Sequence, residues 1–569
     1  MNGNNKWQWP EKPAVFNGSG EEFVRQILVN RGIDNEADQT QFLEPDYHNS
    51  LHDPFLLKDM EKAVTRLRQA ITDNESIAIF ADYDADGIPA AAILASFFRQ
   101  IGFDNYTVYI PDRYLEAYGL SQAWVRKMSE AGHSLVVTVD CGITSFKEVK
   151  LAGDLGVDVI ITDHHLPPKK LPPAVAVVDP YREGDNYPFK HLAGAGVAFK
   201  LITALLKENR YGLPSGWEKW LLDLVAIATI GDMMPLVDEN RILVKYGLVV
   251  MEKTRRSGLQ QLLKRLSLPI SHLTAEDIAF MVAPRINSAS RMAHGRQAYD
   301  LLMAQDKDLA LVLVSTLESN NLQRKKQVEE ILDQVRQLWL LENKNKSLPG
   351  VLVAGKPDWN PGVLGLAASK LVEEYDRPIF LWSYNGQGEV KGSCRSDGRV
   401  NLVDLMSRMD SDSFLDFGGH AGAGGFALAE KEIPLLAENL NLAMSKCKVD
   451  VNNGQKIAID GCLFLTDITW SLFDKLDQLA PFGQENPRPV FEFKKVTVVG
   501  QRRFGQTGNH LELVLEQNGK KIKVISFFYT AVAPAIGEVI DCLGTIEKSV
   551  FGGGRPELRL RLVDWQIAV

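Results

Sequence analysis

Cysteine is scarce and unpaired in this 569-residue sequence. Cys141, Cys394, Cys447, Cys462 and Cys542 are odd in number, widely scattered and form no C-x-x-C pair. That argues against a disulfide scaffold and a structural zinc site, and makes a reducing cytoplasm the expected location. No run approaches 18 consecutive apolar residues, so no membrane span is expected. The opening stretch MNGNNKWQWPEKP has no long apolar core, and no secretory signal is expected. Neither G-x-x-x-x-G-K-[ST] nor a G-x-G-x-x-G after an opening strand occurs, so ATP and NAD have no motif here. Positive charge is also in short supply. Sixty-three basic residues face seventy-two acidic ones, a net charge of −9, which gives no support for a generally nucleic-acid-binding surface. Local patches can still set a local field. Residues 488–523 are one such patch, with Arg488, Lys494, Lys495, Arg502, Arg503, Lys520, Lys521 and Lys523 against Glu492, Glu512 and Glu516. Tandem repeats and long low-complexity segments are absent.

What is present is globular: 45% apolar and 24% charged residues. The length suits about three or four domains. Residues 1–55 are mixed, with Trp7, Trp9, Phe42 and Tyr47 among polar residues, and are expected to wrap a larger body. Short apolar runs then alternate with amphipathic segments. SIAIFAD (76–82), NYTVYIPDR (105–113), HSLVVTVDCG (133–142), VDVIITDHH (157–165) and AVAVVDP (174–180) read as strands. The runs do not alternate internally, which predicts a parallel sheet covered on both faces. Residues 192–310 read as mostly helical, and the charged stretch 317–339 as one connecting helix. A strand-and-helix pattern resumes at PGVLVAG (349–355). After about 455, PVFEFKKVTVVG, HLELVLEQNG, KIKVISFF and ELRLRLVDWQIAV predict a β barrel or sandwich.

The aspartates fall in a pattern. Asp82, Asp84 and Asp86 occur as FADYDADG, Asp140 ends LVVTVD, and Asp163, His164 and His165 end VIITDHH. A lone Asp at a strand end is usually a helix cap or turn residue. Here each group ends a predicted parallel strand, where open α/β sheets place their ligand crevice. A calcium loop starting at Asp82 would need an acid at its twelfth position, where Ile93 stands. Carboxylates so crowded repel one another unless cations neutralise them. Mixed oxygen and imidazole ligands fit Mn²⁺ somewhat better than Mg²⁺, though Mg²⁺ is possible. Several carboxylates could bridge two divalent ions, a pair suited to activating water and holding a leaving oxygen in phosphoryl transfer. Asp232 interrupts the apolar LLDLVAIATIGDMMPL and also needs a metal or a partner. Arg285, Asn287 and Arg291 in PRINSASRM, Ser393 and Arg395 in GSCRS, and the glycine-rich turn GGHAGAGG around His420 point to phosphate.

DYDADG, VDCG, DHH and IGD together resemble the four metal motifs of the DHH phosphoesterase superfamily, and GGHAGAGGF resembles its DHHA1 domain. With LAGAGVAFKL, PRINSASRM and PFGQENPRPVF, the chain from about residue 50 onward resembles the bacterial RecJ family of single-strand-specific 5′-to-3′ DNA exonucleases. The resemblance implies an α/β parallel-sheet DHH catalytic domain with a helical extension (56–315), a connector helix (316–344), a smaller α/β DHHA1 domain (345–452) and an all-β OB-like domain (455–569). It implies Asp84, Asp86, Asp140, His164 and Asp232 as ligands of two metal ions, with Asp82 a ligand or an acid close behind them. His165 and His420 would contact the scissile phosphate, and Arg113, Ser393 and Arg395 would receive the 5′-terminal phosphate. Arg285, Asn287 and Arg291 would support or contact substrate. The products would be 5′-mononucleotides and the setting DNA repair and recombination. Single-stranded DNA is the expected partner, with a single-stranded-DNA-binding protein and a helicase as further candidates and a monomer as the expected state. Phe504 or the run Phe527–Phe528–Tyr529 would stack on bases or fill the core.

The chain departs from the family pattern at Asn360, where many relatives have His, at Ser290, where Gly is common, and at YLEAYG after Arg113. The alternatives are a DHH phosphodiesterase of short oligoribonucleotides or cyclic dinucleotides, a pyrophosphatase, and a catalytically inactive single-strand-binding replication partner. The last 115 or so residues argue against the first two, and the complete ligand set against the third.

Overall fold

The computed structural model of the chain describes residues 7–116, 119–342, 348–384, 389–409, 413–447, 456–505, 508–529, 531–549 and 556–568. The expected boundaries at 344–345 and 452–455, and positions 117–118 of the segment after Arg113, lie outside the described residues. The chain forms two compact units, one of His52–Met234 with Leu243–Gly454, the other of Met1–Leu51 with Pro235–Ile242 and Gln455–Val569.

The first unit opens on a parallel sheet of β1 (Ile77–Ala81), β2 (Tyr106–Tyr109), β3 (Leu135–Val139), β4 (Asp158–Thr162) and β5 (Ala176–Val178). Among the described residues its order is β2-β1-β3-β4-β5, with every neighbouring pair parallel. All residues of β1 and β3 are buried, which is why these strands read as continuous apolar runs. The strand order reverses between β1 and β3, so their carboxyl ends border the crevice where such sheets bind ligands. Helix α1 (Gly87–Gln100) follows β1, and its alanine-rich body is buried almost throughout. Pro89 stands in its first turn, where the missing N–H costs no helical bond.

Helices α2 (Gly194–Glu208), α3 (Leu222–Gly231) and α4 (Ala283–Met292) extend this layer. The connector, α5 (Lys307–Glu342), starts at Lys307 rather than near 316. Asp306 accepts the Leu309 N–H (2.8 Å) and so begins the helix earlier than the charged stretch suggests. Val328, Ile331, Leu332, Val335 and Trp339 of α5 share a core with Val363, Leu364, Ala367 and Leu371 of α6 (Pro361–Tyr375). Asn360 caps α6 by accepting the Gly362 N–H (2.8 Å), with Pro361 at the first helical position. A second sheet follows, of β6 (Leu352–Gly355), β7 (Ile379–Tyr384), β8 (Val390–Arg395), β9 (Asp416–Gly419) and β10 (Ala423–Leu428), in order β9-β10-β8-β7-β6.

In the other unit β11 (Phe491–Phe504), β12 (His510–Gln517), β13 (Lys520–Ser526), β14 (Val539–Ser549) and β15 (Glu557–Ile567) form an OB-like barrel. β11 pairs with both β12 and β14, β12 with β13, β13 with β15 and β15 with β14, which closes the circle. The N-terminal residues belong to this unit. Trp7–Gln8 pairs with Ile457–Ala458, and Phe23, Val24, Ile27 and Leu28 share the barrel's core with Phe473, Phe491 and Phe493. Arg241 is buried here without a carboxylate partner among the described residues. Its guanidinium donates to the carbonyls of Phe42 (3.0 Å), Leu479 (2.8 Å) and Gln478 (3.1 Å) and stacks 3.8 Å over the Phe42 ring. Burial, with Arg31 nearby, pushes its pKa down to about 9. Arg241→Met leaves those three carbonyls unpaired. It is expected to cost about 3 kcal/mol, read as a lower melting temperature in thermal unfolding. An unchanged melting temperature would show that the buried guanidinium contributes nothing.

Candidate active site

The carboxyl ends of β1, β3 and β4 bring the acidic and imidazole groups together. The DYDADG turn folds back on itself. Asp84 accepts the N–H groups of Asp86 (2.8 Å) and Gly87 (3.1 Å), and Asn287 Oδ1 accepts the Ala85 N–H (2.9 Å). Asp86 accepts the Gly194 (2.6 Å) and Ala195 (2.7 Å) N–H groups at the start of α2, whose unpaired amides and dipole favour an anion there. A side chain at Gly194 would place its Cβ 2.6 Å from the Asp140 carboxylate, so the LAGAG segment needs glycine for this approach. Asp140 itself, directly after β3, has φ +61°, a left-handed backbone uncommon outside glycine, and is buried.

His164 Nε2 lies 3.0 Å from Asp140, 3.6 Å from Asp86 and 3.7 Å from Asp232. The Leu192 backbone beside its ring favours the protonated form, against the larger effect of burial. Three sets of side chains place candidate ligand atoms within 4.8 Å of one another: Asp140 with His164 and His165, Asp86 with His164 and Asp232, and Asp82 with Asp84 and Asp140. Asp82 Oδ1 is buried without a hydrogen-bond partner. This donor set fits divalent cations. Oxygen ligands dominate, one imidazole joins them, and a buried carboxylate oxygen awaits a partner.

The electrostatics carry the same message. Burial, reinforced by Asp84, pushes the Asp86 pKa up to about 7. Burial, with Asp86 and Asp84, pushes Asp232 up to about 8. Asp82 and Asp140 are also raised, by burial first and by neighbouring carboxylates second. The adjacent histidines are driven apart. Burial and the His165 charge lower His164 to about 4, so its ring is neutral and keeps a free lone pair. Burial works against the His165 cation, but the hydrogen bond and charge of Asp163, then Asp232, raise it to about 9.

Asp163, the first letter of the DHH motif, is therefore a holder. It accepts the N–H groups of Ile143 (2.9 Å) and His164 (2.8 Å) and the Nδ1 of His165 (2.8 Å). The sequence reading assigned it no role. Asp179, at the end of β5, was missed too. It is fully buried, and burial with Asp163 nearby raises it to about 7.

Arg113, Tyr114, Pro361, Gly362, Leu364, Lys391, Gly392 and Ser393 line a cavity of about 160 Å³ between the first sheet's loops and α6 with β8. Arg113 stacks 4.9 Å over the Tyr83 ring and has no carboxylate partner among the described residues. Arg395 lies beside this cavity, bonded to the Cys394 carbonyl (2.8 Å) and packed against Gly365. His420 is exposed at the tip of the β9–β10 hairpin, where its N–H bonds the Ala423 carbonyl (2.8 Å). No described contact joins its ring to the carboxylates.

Arg285 and Asn287, expected to support or contact substrate, both make supporting contacts. The buried Arg285 guanidinium pairs with Glu318 and donates to the Met281 carbonyl (2.8 Å), which ties α4 to α5. Asn287 spends its carbonyl on Ala85, which braces the acidic turn. Arg291 is bonded through Nη1 to the Gly362 carbonyl (2.6 Å) at the cavity's edge. The Asn360 departure is accommodated: besides capping α6 it meets Gln327 (3.0 Å) and the Tyr114 hydroxyl (2.9 Å).

The basic window of the barrel is weaker than its sequence suggests. Lys494 pairs with Glu492 (3.3 Å), Lys521 with Glu516 (3.3 Å), Lys523 with Glu557 (3.0 Å) and Arg502 with Glu512 (2.9 Å). Lys495 and Lys520 have no carboxylate partner among the described residues. The aromatics divide. Tyr529 packs on the core, whereas Phe504, His510, Phe527 and Phe528 form a surface cluster with centroids 5.0–6.4 Å apart. Phe528 is 74% exposed.

Comparison with known proteins agrees with this architecture. Residues 76–229 match the DHH family N-terminal domain, residues 348–446 the DHHA1 domain and residues 459–564 the RecJ OB domain. The first two define the class, a DHH–DHHA1 protein. The chain is 34% identical over 551 residues to the single-stranded-DNA-specific exonuclease RecJ of Bacillus subtilis, covering 96% of this chain and 68% of that one. A crystal structure of RecJ from Thermus thermophilus in complex with Mn²⁺ superimposes with a TM-score of 0.81 at 29% identity, over 99% of this chain and 80% of that one. A structure of the Thermus protein in complex with Mg²⁺ gives 0.74 at 27% identity, over 99% and 78%. The chain belongs to the RecJ family of single-stranded-DNA-specific exonucleases.

The raised carboxylates make metal affinity pH-dependent. With Asp86 near 7 and Asp232 near 8, these two carboxyls hold more protons in the metal-free folded chain than in the unfolded one from about pH 4 to pH 8. Their contribution to stability therefore falls as pH rises through that window. A cation must displace those protons, so binding strengthens as pH rises. Thermal unfolding with and without Mn²⁺ is expected to show a larger stabilisation near pH 8.5 than near pH 6. Equal or reversed increments would contradict this protonation state.

Proposed function

We propose that the chain is a metal-dependent exonuclease that hydrolyses single-stranded DNA from its 5′ end, releasing 5′-mononucleotides, in DNA repair and recombination. The observation that carries the reading is the convergence of five carboxylates and a neutral imidazole at the β1–β3 crevice, beside a cavity lined by cations. Asp84, Asp86, Asp140, His164 and Asp232 would hold two divalent ions, Mn²⁺ preferred, with Asp82 supplying a further oxygen. Bound there, the ions supply Lewis-acid charge at the phosphodiester and a nucleophile from water at neutral pH.

The remaining steps belong to the chain's own groups. Arg113, Lys391 and Ser393 receive the 5′-terminal phosphate, supported by Arg395. That places the first phosphodiester over the carboxylates and sets the polarity. His165, held as a cation by Asp163, faces the phosphoryl oxygens and stabilises charge that grows on them. His420 reaches the same phosphate from its hairpin. The contacts go to phosphate and not to base edges, so little sequence preference follows. Phe504, Phe527 and Phe528 offer faces on which bases stack. The paired lysines and arginines around them make stacking, rather than charge, the barrel's larger contribution. We assign residues 56–315 to catalysis and residues 455–569 to strand binding.

The test uses a 3′-labelled single-stranded oligonucleotide and its blunt duplex, with Mn²⁺, Mg²⁺ or EDTA. Stepwise shortening of the single strand alone from its 5′ end, abolished by EDTA, is the expected result. Asp140→Ala is expected to abolish hydrolysis while single-strand binding, read by fluorescence anisotropy, persists. Tight metal-independent binding without cleavage would favour an inactive partner instead. A second test addresses the cavity. Arg113→Ala should cut the rate about ten-fold or more on a 5′-phosphorylated strand and much less on a 5′-hydroxyl strand. Equal losses would remove Arg113 from the terminal-phosphate site.

A further inference from the structure

The connector helix α5 carries a cation that no described residue answers. Arg324 forms no hydrogen bond and no ion pair among the described residues, and its Nε is buried without a partner. One turn earlier on the same face, the Asn321 Oδ1 is also buried and unpaired. Every acid that could serve Arg324 from α5 is engaged elsewhere. Glu318 holds Arg285, Glu329 holds Lys370 and Glu330 holds Lys326 (3.6 Å). Half-buried arginines in folded chains are normally paired, because an unanswered donor and charge lose hydration with no return.

Its surroundings are cationic. Burial and Arg285 depress the Arg324 pKa. Burial, Arg113 and Arg324 together push Arg291 down to about 9. Arg113 and Arg324 thus each repel Arg291, and Arg285 repels Arg324, with no carboxylate bound to Arg113, Arg291 or Arg324 among the described residues. Arg324 is not part of the cavity lining, which ends at Arg113, Gly362 and Ser393. Four residues after Arg324 the helix enters the core it shares with α6 through Val328, and Gln327 bonds Asn360 at the head of α6. The guanidinium is therefore carried on a rigid element and not on a loop.

We infer that Arg324 binds a backbone phosphodiester of the DNA strand, at a position distinct from the 5′-terminal phosphate pocket. The inference rests on the single-strand exonuclease reading above and adds a second phosphate contact to it. An anion there supplies what the fold withholds: a hydrogen-bond acceptor for the guanidinium and a negative charge between repelling cations.

The test is equilibrium binding of the full chain to a 3′-fluorescein-labelled oligothymidylate in EDTA, followed by anisotropy across a KCl series. The strand is used in 5′-phosphorylated and 5′-hydroxyl forms. Arg324→Gln is expected to bind about ten-fold more weakly. Its plot of log affinity against log salt should flatten by about 0.7, the value for one phosphate contact on a single strand. Both changes should be equal on the two forms of the strand. Because the replaced cation is unpaired and sits among others, the melting temperature should hold or rise. Arg324→Met serves the same purpose if the glutamine variant fails to fold. An unchanged salt slope, or a lowered melting temperature with unchanged binding, would make Arg324 structural and overturn the inference. A loss confined to the 5′-phosphorylated strand would place it in the terminal pocket and overturn it as well. A wild-type chain that neither binds nor degrades the strand would defeat the exonuclease reading itself, a result distinguishable from all of these.

Discussion

Mutual repulsion among the carboxylates at the β1–β3 crevice is the constraint on which the rest of this structure depends. Asp82, Asp84, Asp86, Asp140 and Asp232 could relieve it by turning to solvent, but the backbone prevents that. Amides at the head of α2 hold Asp86, the turn's own N–H groups hold Asp84, and Asp140 is buried with its carboxylate 3.0 Å from His164. Fixed dipoles offset part of the cost, and protonation offsets more when no cation is present. The fold thus stores a demand for divalent charge at one edge of the sheet. Gly194 and the bracing amide of Asn287 are consequences of that crowding.

The positive groups show the complementary arrangement. Arginines that stabilise the fold are answered, as Arg285 is by Glu318 and Arg241 by three carbonyls. Arg113 and Arg324 are not, and Arg291 and Arg395 reach only carbonyls among the described residues. Charges of opposite sign therefore stand near one another without neutralising one another. Such segregation costs stability, and it makes sense where cations fill one side and a polyanion the other. The two histidines after Asp163 repeat this on a smaller scale, one held neutral and the other held as a cation.

Much of this was legible in the sequence because it rests on local pattern. Non-alternating apolar runs identified the parallel strands, and an aspartate at the end of each placed the crevice. What was not legible depends on partners distant in the chain. PRINSASRM leaves open whether Arg285 and Asn287 support the site or touch substrate, and only the structure shows Glu318 and Ala85 as their partners. The sequence sets Glu492, Glu512 and Glu516 against the barrel's basic window, but only the structure pairs them with Lys494, Arg502 and Lys521 and places Glu557 against Lys523. The N-terminal segment gave no sign of which body it would join, because its apolar residues follow no long period. Asp163 was read as one more acid, since only the structure shows its oxygens spent on amides and on His165. The lone guanidinium of Arg324, one basic residue in the run QRKK, carries no sequence signal at all.

The most direct measurement of the central claim is the number of Mn²⁺ ions bound per chain, by isothermal titration calorimetry near pH 8. The account predicts two, with Asp232→Asn losing at least one of them while the melting temperature of the metal-free protein holds or rises, because one repelling charge is gone. A chain that binds no Mn²⁺, or an Asp232→Asn variant that binds as many ions as the wild type, would contradict it.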